Sequence, residues 1–188
     1  PYVSLKFNSQ GAKDFGKLEI LGKSVRKIAS KLRPSAEVFY LSEIEFIQGK
    51  IQKTLTDAIL VDKFSGIRGD LKKIRIAHKI SEVLDNLIKG QEPDEKIWRL
   101  LTETFQRLNS SKLSAELVYY YFYWNFVSIL GYQPELYHCI RCHKKIIEGK
   151  NYFIPQEGGI VCGSCAKGLD KEISPEAIKI LRITVIFA

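Results

Sequence analysis

The most specific chemistry in the sequence belongs to four cysteines, arranged as two identical pairs: Cys139-x-x-Cys142 and Cys162-x-x-Cys165, nineteen residues apart. Two thiolates at this spacing can bind one metal ion from a tight turn, and a second such turn completes a tetrahedron. The separation falls within the C-x2-C, C-x2-C pattern of zinc sites. Gly158, Gly159 and Gly163 supply flexible backbone around the second pair. Because His143 follows Cys142, the first pair also spells CxxCH, a covalent haem attachment. Haem would leave Cys162 and Cys165 without a role, and a chain lacking methionine offers no Met axial ligand. A redox dithiol is expected beside a βαβ unit, which is missing here, and structural disulfides do not suit a reducing cytosol. A structural Zn2+ ion on Cys139, Cys142, Cys162 and Cys165 uses all four thiols. His138 or His143 could replace a cysteine, but both read better as surface histidines beside the site. Four sulfur ligands leave no open position, so the metal is expected to stabilise rather than catalyse.

Charge marks a second candidate surface. The net charge is +8, and residues 1–35 carry +6 of it, with eight basic side chains against Asp14 and Glu19. A polyanionic partner follows from that concentration. Lys17, Lys23, Arg26, Lys27, Lys31 and Arg33 are the candidates for phosphate contact. A second basic cluster, Arg68, Lys72, Lys73, Arg75 and Lys79, reads equally as another anionic-partner surface or as a solvated helix face. The run Tyr119-Tyr-Tyr-Phe-Tyr-Trp124 suggests base stacking, but consecutive helical residues point all round the axis, so core packing explains it better. There is no phosphate-binding loop, GxSxG, HExxH or dinucleotide fingerprint, and only three histidines are present. The expectation is a protein that is not an enzyme.

These residues need elements to position them. Apolar alternation predicts strands at 2–7, 17–21, 37–47 and 50–61, with a turn at Ile47-Gln-Gly-Lys50 and a basic connector at 22–36. The period then becomes helical. One helix is centred on Ile74–Ile88, another starts at Pro93-Asp94 and ends near Leu108, and a third covers Ser114–Leu130. Residues 109–112 read as a loop, and Ser174-Pro-Glu opens a final helix through about Leu181. The fold class is α+β: residues 1–61 form an antiparallel basic β domain, 62–136 a helical domain, 137–168 an inserted zinc-binding element, and 169–188 a C-terminal helix returning to the helical domain. The longest apolar run, Leu117–Leu130, is 14 residues and too short to span a bilayer. With no signal peptide visible, a cytoplasmic protein without membrane association is expected. Lacking any methionine, the chain is expected not to begin at a native translation start.

With this order of parts the sequence resembles the RecO family of bacterial recombination mediators. The matching residues are Gly16-Lys-Leu-Glu-Ile-Leu-Gly-Lys-Ser-Val-Arg-Lys27 and Thr54-Leu-Thr-Asp-Ala58. They continue with Gly131-Tyr-x-Pro-x-Leu-x-x-Cys-x-x-Cys142, Phe153-x-Pro-x-x-Gly-Gly-x-x-Cys-x-x-Cys165 and Ser174-Pro-Glu-Ala177. The resemblance implies an N-terminal OB-like fold, and with only fifteen residues before Gly16 the expectation leaves open whether its barrel is complete. It also implies binding of single- and double-stranded DNA and annealing of complementary strands. Further, it implies work with RecR to load RecA on DNA coated by single-stranded DNA-binding protein, at the nucleoid. Lys23–Arg33 would then lie on the basic surface that tracks the DNA backbone. The competing expectation is a zinc-stabilised helical adaptor that binds proteins, with DNA contact incidental.

Overall fold

The computed structural model describes residues 16–23, 25, 27, 29–88, 93–168 and 171–184. Among them the chain is mixed α+β, with five α-helices, one 3-10 turn and two three-stranded sheets. It divides into two compact units, residues 1–119 and 120–188. The expected strand at 2–7 lies outside the described residues.

In the first unit β1 (Ile20–Leu21), β2 (Leu41–Gln48) and β3 (Lys53–Asp62) form one sheet in the order β1-β3-β2. Ile44, Leu55 and Ala58 turn inward, against Leu18, Ile20, Val25 and Ala36. Leu55 and Ala58, three apart, share that face because the register shifts between Glu45–Asp57 and Phe46–Leu55. β2 and β3 pair antiparallel, from Leu41 opposite Asp62 to Gln48 opposite Lys53. The hairpin closes over residues 49–52, two later than the predicted turn. The Gly49 N–H donates to the Gln52 carbonyl at 3.1 Å, and a Cβ on Gly49 would lie 2.8 Å from that oxygen. One expectation is corrected: the β unit is not purely antiparallel, because β1 pairs parallel with β3. The connection from Leu21 to Leu41 is long enough to carry the chain across to the far edge of β3 before the hairpin begins.

The described residues of that connection are held by burial as well as by turns. Val25 and Ala36 enter the sheet core, and the Ser42 hydroxyl donates to the Ser35 carbonyl at 2.6 Å. Pro34 sits in the 3-10 turn Arg33–Ser35. Phe39 and Phe64 both adopt left-handed backbone, φ 64° and 45°, and both rings pack on Phe105. Phe64 starts a short helix the sequence pattern did not signal, α1 (Ser65–Arg68).

α2 (Leu71–Leu87) and α3 (Glu95–Ser110) each begin at an aspartate whose carboxylate accepts two backbone N–H groups. Asp70 receives them from Lys72 and Lys73, Asp94 from Lys96 and Ile97. The buried stripes are Ile76, Ala77, Ile80 and Leu84 on α2, and Leu100, Leu101, Phe105 and Leu108 on α3. α3 runs to Ser110, into the predicted loop, with the Ser110 hydroxyl donating to the Gln106 carbonyl.

α4 (Ala115–Ile129) crosses the division between the units, and the Ser114 hydroxyl accepts from the Leu117 N–H at its start. Its aromatic run forms no platform: Tyr121 and Phe122 are buried while Tyr120 is exposed. In the second unit Phe122 stacks on Phe126 and Trp124 packs edge-on to Phe153. β4 (Asn151–Ile154) pairs antiparallel with β5 (Gly159–Cys162) and with β6 (Glu172–Ile173). α5 (Pro175–Thr184) starts at Ser174, whose hydroxyl accepts from the Ala177 N–H, and continues three residues beyond the expected Leu181. Buried Asn125 donates its side-chain amide to the carbonyls of Tyr121 and Thr184. No helix among the described residues is long and apolar enough to cross a membrane.

Candidate functional site

Each cysteine pair sits in a backbone turn. In the first, the His143 N–H returns to the Cys139 carbonyl at 2.8 Å, with His143 itself left-handed at φ 58°. In the second, β5 ends at Cys162, and the Cys165 N–H donates to the Cys162 carbonyl at 2.9 Å. Three ladder bonds bring the turns together. The Ile140 N–H donates to Ile160, Ile160 to Glu135, and Glu135 to Gly158, all at 2.9–3.0 Å. Gly159 permits this approach, since a Cβ there would meet the Ile140 side chain at 2.5 Å. Beneath lie Leu136, Ile146, Ile154, Ile160, Val161 and Ile178.

The four Sγ atoms all lie within 4.8 Å of one another, and Cys142 and Cys162 are 3.7 Å apart. A tetrahedron of sulfurs about zinc, with Zn–S near 2.3 Å, has edges of roughly 3.8 Å. The donor set and spacing therefore fit Zn2+, and the four cysteines are positioned to hold a metal ion. Cys139 is fully buried and the other three are half-buried. Neither His138 nor His143 belongs to this group; both are exposed. His138 instead lies beside Glu135, whose carboxylate accepts the N–H groups of Tyr137 and His138 and is held below its ordinary range chiefly by the first of these.

The thiols hold their protons unequally. Cys162 is pulled down to about 6, first by the Ser164 hydroxyl 3.4 Å away. Cys165 is pushed up to about 12, because hydrogen bonding with Cys142 and Cys162 keeps a proton on it. For Cys139 burial acts upward and is the largest single influence. The N–H groups of Cys162, Cys142 and Arg141 and the Cys142 side chain together outweigh it, so the net direction is down. Two participants escaped sequence reasoning. Ser164 acts through its hydroxyl, and Arg141 ties the turns by donating to the Cys165 carbonyl at 2.8 Å while pairing with Glu157 at 3.0 Å. Each lies inside a CxxC pair, where spacing rules score only the cysteines.

The cationic candidates divide into three groups. Lys23, Lys27, Lys31 and Arg33 are exposed along the connector between β1 and β2. Lys17 is paired with Asp85 at 3.3 Å and also donates to its carbonyl. Arg26 lies outside the described residues. In the second cluster Arg68 donates to the Val38 carbonyl and covers the Tyr40 ring, and Lys73 donates to the Asn109 carbonyl. Lys72, Arg75 and Lys79 project from α2 and are exposed.

A family model described as "Recombination protein O C terminal" matches residues 68–185, from α1 through the metal site into α5. The chain belongs to the RecO family. Among curated relatives, the DNA repair protein RecO of Dehalococcoides mccartyi is 34% identical over 172 residues, covering 90% of this chain and 67% of the relative. That of a Roseiflexus species is 28% identical over 170 residues, covering 89% and 59%. That of Caldanaerobacter subterraneus is 27% identical over 167 residues, covering 86% and 67%. This RecO-family chain thus spans about two thirds of the length of such relatives.

Proposed function

We propose that the chain is a DNA-binding recombination mediator of DNA repair. It binds single- and double-stranded DNA along the connector through Lys23, Arg26, Lys27, Lys31 and Arg33, with Lys17 at its edge. It anneals complementary strands and, with RecR, helps load RecA on DNA coated by single-stranded DNA-binding protein, in the cytoplasm at the nucleoid. In this reading residues 1–61 are an OB-like unit, 62–136 helical, 137–168 a structural Zn2+ element on Cys139, Cys142, Cys162 and Cys165, and 169–188 a returning helix. No bond is made or broken: the protein neutralises phosphates and aligns strands.

The supporting observation is the connector itself. It has no acid between Gly22 and Ala36, and its described cations are exposed while Val25 and Ala36 anchor it to the sheet core. A cationic segment held in place can follow a phosphate backbone without the ordering cost a free loop would carry. The test is fluorescence anisotropy of a labelled single-stranded oligonucleotide over a range of salt. Log affinity falls with log salt by about 0.7 for each phosphate neutralised, and the combined Lys23→Glu, Lys27→Glu, Lys31→Glu variant loses about two units of that slope. Absence of binding by the intact chain at low salt, or an unchanged slope in the variant, sinks the reading. A pull-down with purified RecR tests the partner separately.

A further inference from the structure

We infer that the exposed cationic row of α2, Lys72, Arg75 and Lys79, is a second phosphate-backbone site that holds the complementary strand while the connector holds the first. This rests on the DNA-binding reading and adds a location to it. The three residues are spaced i, i+3 and i+7, so they share one helix face. Like charges three and four apart repel, and Lys72, in the first turn, opposes the helix macrodipole. Within the described fold, no ion pair neutralises them. The ion pairs there take Lys17, Arg107, Arg141, Lys150 and Lys179, whereas no carboxylate pairs with Lys72, Arg75 or Lys79. Asp70 is turned to the backbone N–H groups of Lys72 and Lys73, and Glu82, three positions beyond Lys79, is the acid on the exposed face. Lys79 lies over the Tyr119 ring at 5.7 Å, an aromatic beside the cations.

The row is also well placed relative to the connector. The segment before β1 is tied to the far end of α2 by Lys17 and Asp85. The chain returns beside Arg68, which lies just before α2 and donates to the Val38 carbonyl, and beside the middle of the helix, where the Phe39 ring meets His78. The chain on either side of the connector is therefore tied to α2 and to the turn before it, at Asp85, His78 and Arg68, alongside the helix that carries the row. A uniform polyanion fits such a row better than a peptide does. Apart from Leu71 at its first position, the exposed face through Glu82 is polar and offers no apolar receptacle.

The test compares the intact chain, a connector variant (Lys23→Glu, Lys27→Glu, Lys31→Glu) and a row variant (Lys72→Glu, Arg75→Glu, Lys79→Glu). Single-strand affinity is read by anisotropy, and annealing of two complementary oligonucleotides by energy transfer. The row variant keeps single-strand affinity within about threefold yet anneals about tenfold more slowly, because only the second strand loses its contacts. The neutral Lys72→Gln, Arg75→Gln, Lys79→Gln variant falls between. The melting midpoint of the row variant is read alongside, and a midpoint matching the parent's separates lost contact from lost fold. Annealing at the parental rate overturns the inference and leaves the face to an acidic protein partner. Loss of single-strand affinity as large as in the connector variant overturns it too, by showing one continuous site. If the intact chain binds no DNA, the mediator reading fails first and this one with it.

Discussion

Cys162 and Cys165 are three positions apart and hold their protons in opposite ways, which fixes how the metal site responds to pH. Cys162, at about 6, is already a thiolate at neutral pH, whereas Cys165, near 12, keeps its proton until a metal displaces it. Metal binding therefore releases protons, and the conditional affinity rises with pH across the neutral range. For the metal-free fold the two signs differ. The depressed Cys162 contributes stability that is present above the ordinary thiol range and fades as pH falls through about 6, while the raised Cys165 contributes below that range and fades as pH rises toward 12. Titration calorimetry of Zn2+ binding in buffers of different ionisation enthalpy reads the protons released. About one or more per ion at pH 7 is expected, and none would contradict the assignment. A second residue prediction concerns Gly159. Its substitution by Ala forces a Cβ against Ile140, 2.5 Å away, and the Glu135 carbonyl, 3.0 Å away. Overpacking of this kind costs about 1–3 kcal/mol, seen as a lower midpoint in chemical denaturation of the metal-loaded chain. The cysteines were legible because metal spacing is a local rule. The clash that demands glycine at 159 was not, because its partners at 135 and 140 are set by folding.

At the scale of elements, two aspartates determine where the long helices begin. Asp70 and Asp94 each satisfy two N–H groups that the first helical turn leaves without partners. Asp70→Ala and Asp94→Ala should each lower stability by about 1 kcal/mol, with the Asn variants keeping most of it. Equal losses in the Ala and Asn variants, measured by urea unfolding, would point to charge rather than capping. The helices were readable because apolar residues recur at the helical period, with Asp94 marking one start; the cap at Asp70 emerged only from the structure. The centres of α2, α3 and α4 followed from that pattern, and their ends shifted by a few residues where side chains such as Ser110 extended the last turn. The β elements were less legible. β1 is two residues long and pairs parallel with β3, a contact fixed by the path of the chain between Leu21 and Leu41. β6 is equally short, and α1 depends on left-handed backbone at Phe64 that no composition rule signals.

For the whole molecule, the separation of chemistry between the units leads to a sharper test. The four thiols and the hydrophobic cluster beneath them belong to residues 120–188, while the connector and its cations belong to residues 1–119. The small sheet β5-β4-β6 carries a limited core, and a tetrathiolate site can supply on the order of 10–16 kcal/mol of folding free energy. Removing the metal should therefore unfold the second unit and leave the first unit's sheet and helices in place. Cys139 is the member to substitute, since it is the one thiol fully buried and the acceptor of the Cys162 N–H. In the Cys139→Ser variant, or after chelation, hydrogen exchange should accelerate across β4, β5 and the ladder at Glu135–Ile140. The backbone of β2, β3 and α2 should keep its protection. Single-strand affinity, if it resides on the connector, should change by less than about threefold at fixed salt. Exchange that rises equally in both units would mean that the chain unfolds as one cooperative body. Loss of DNA binding while β2 and β3 stay protected would instead move the nucleic-acid surface onto the metal-bearing unit, where Lys144 and Lys145 are exposed beside the first cysteine turn.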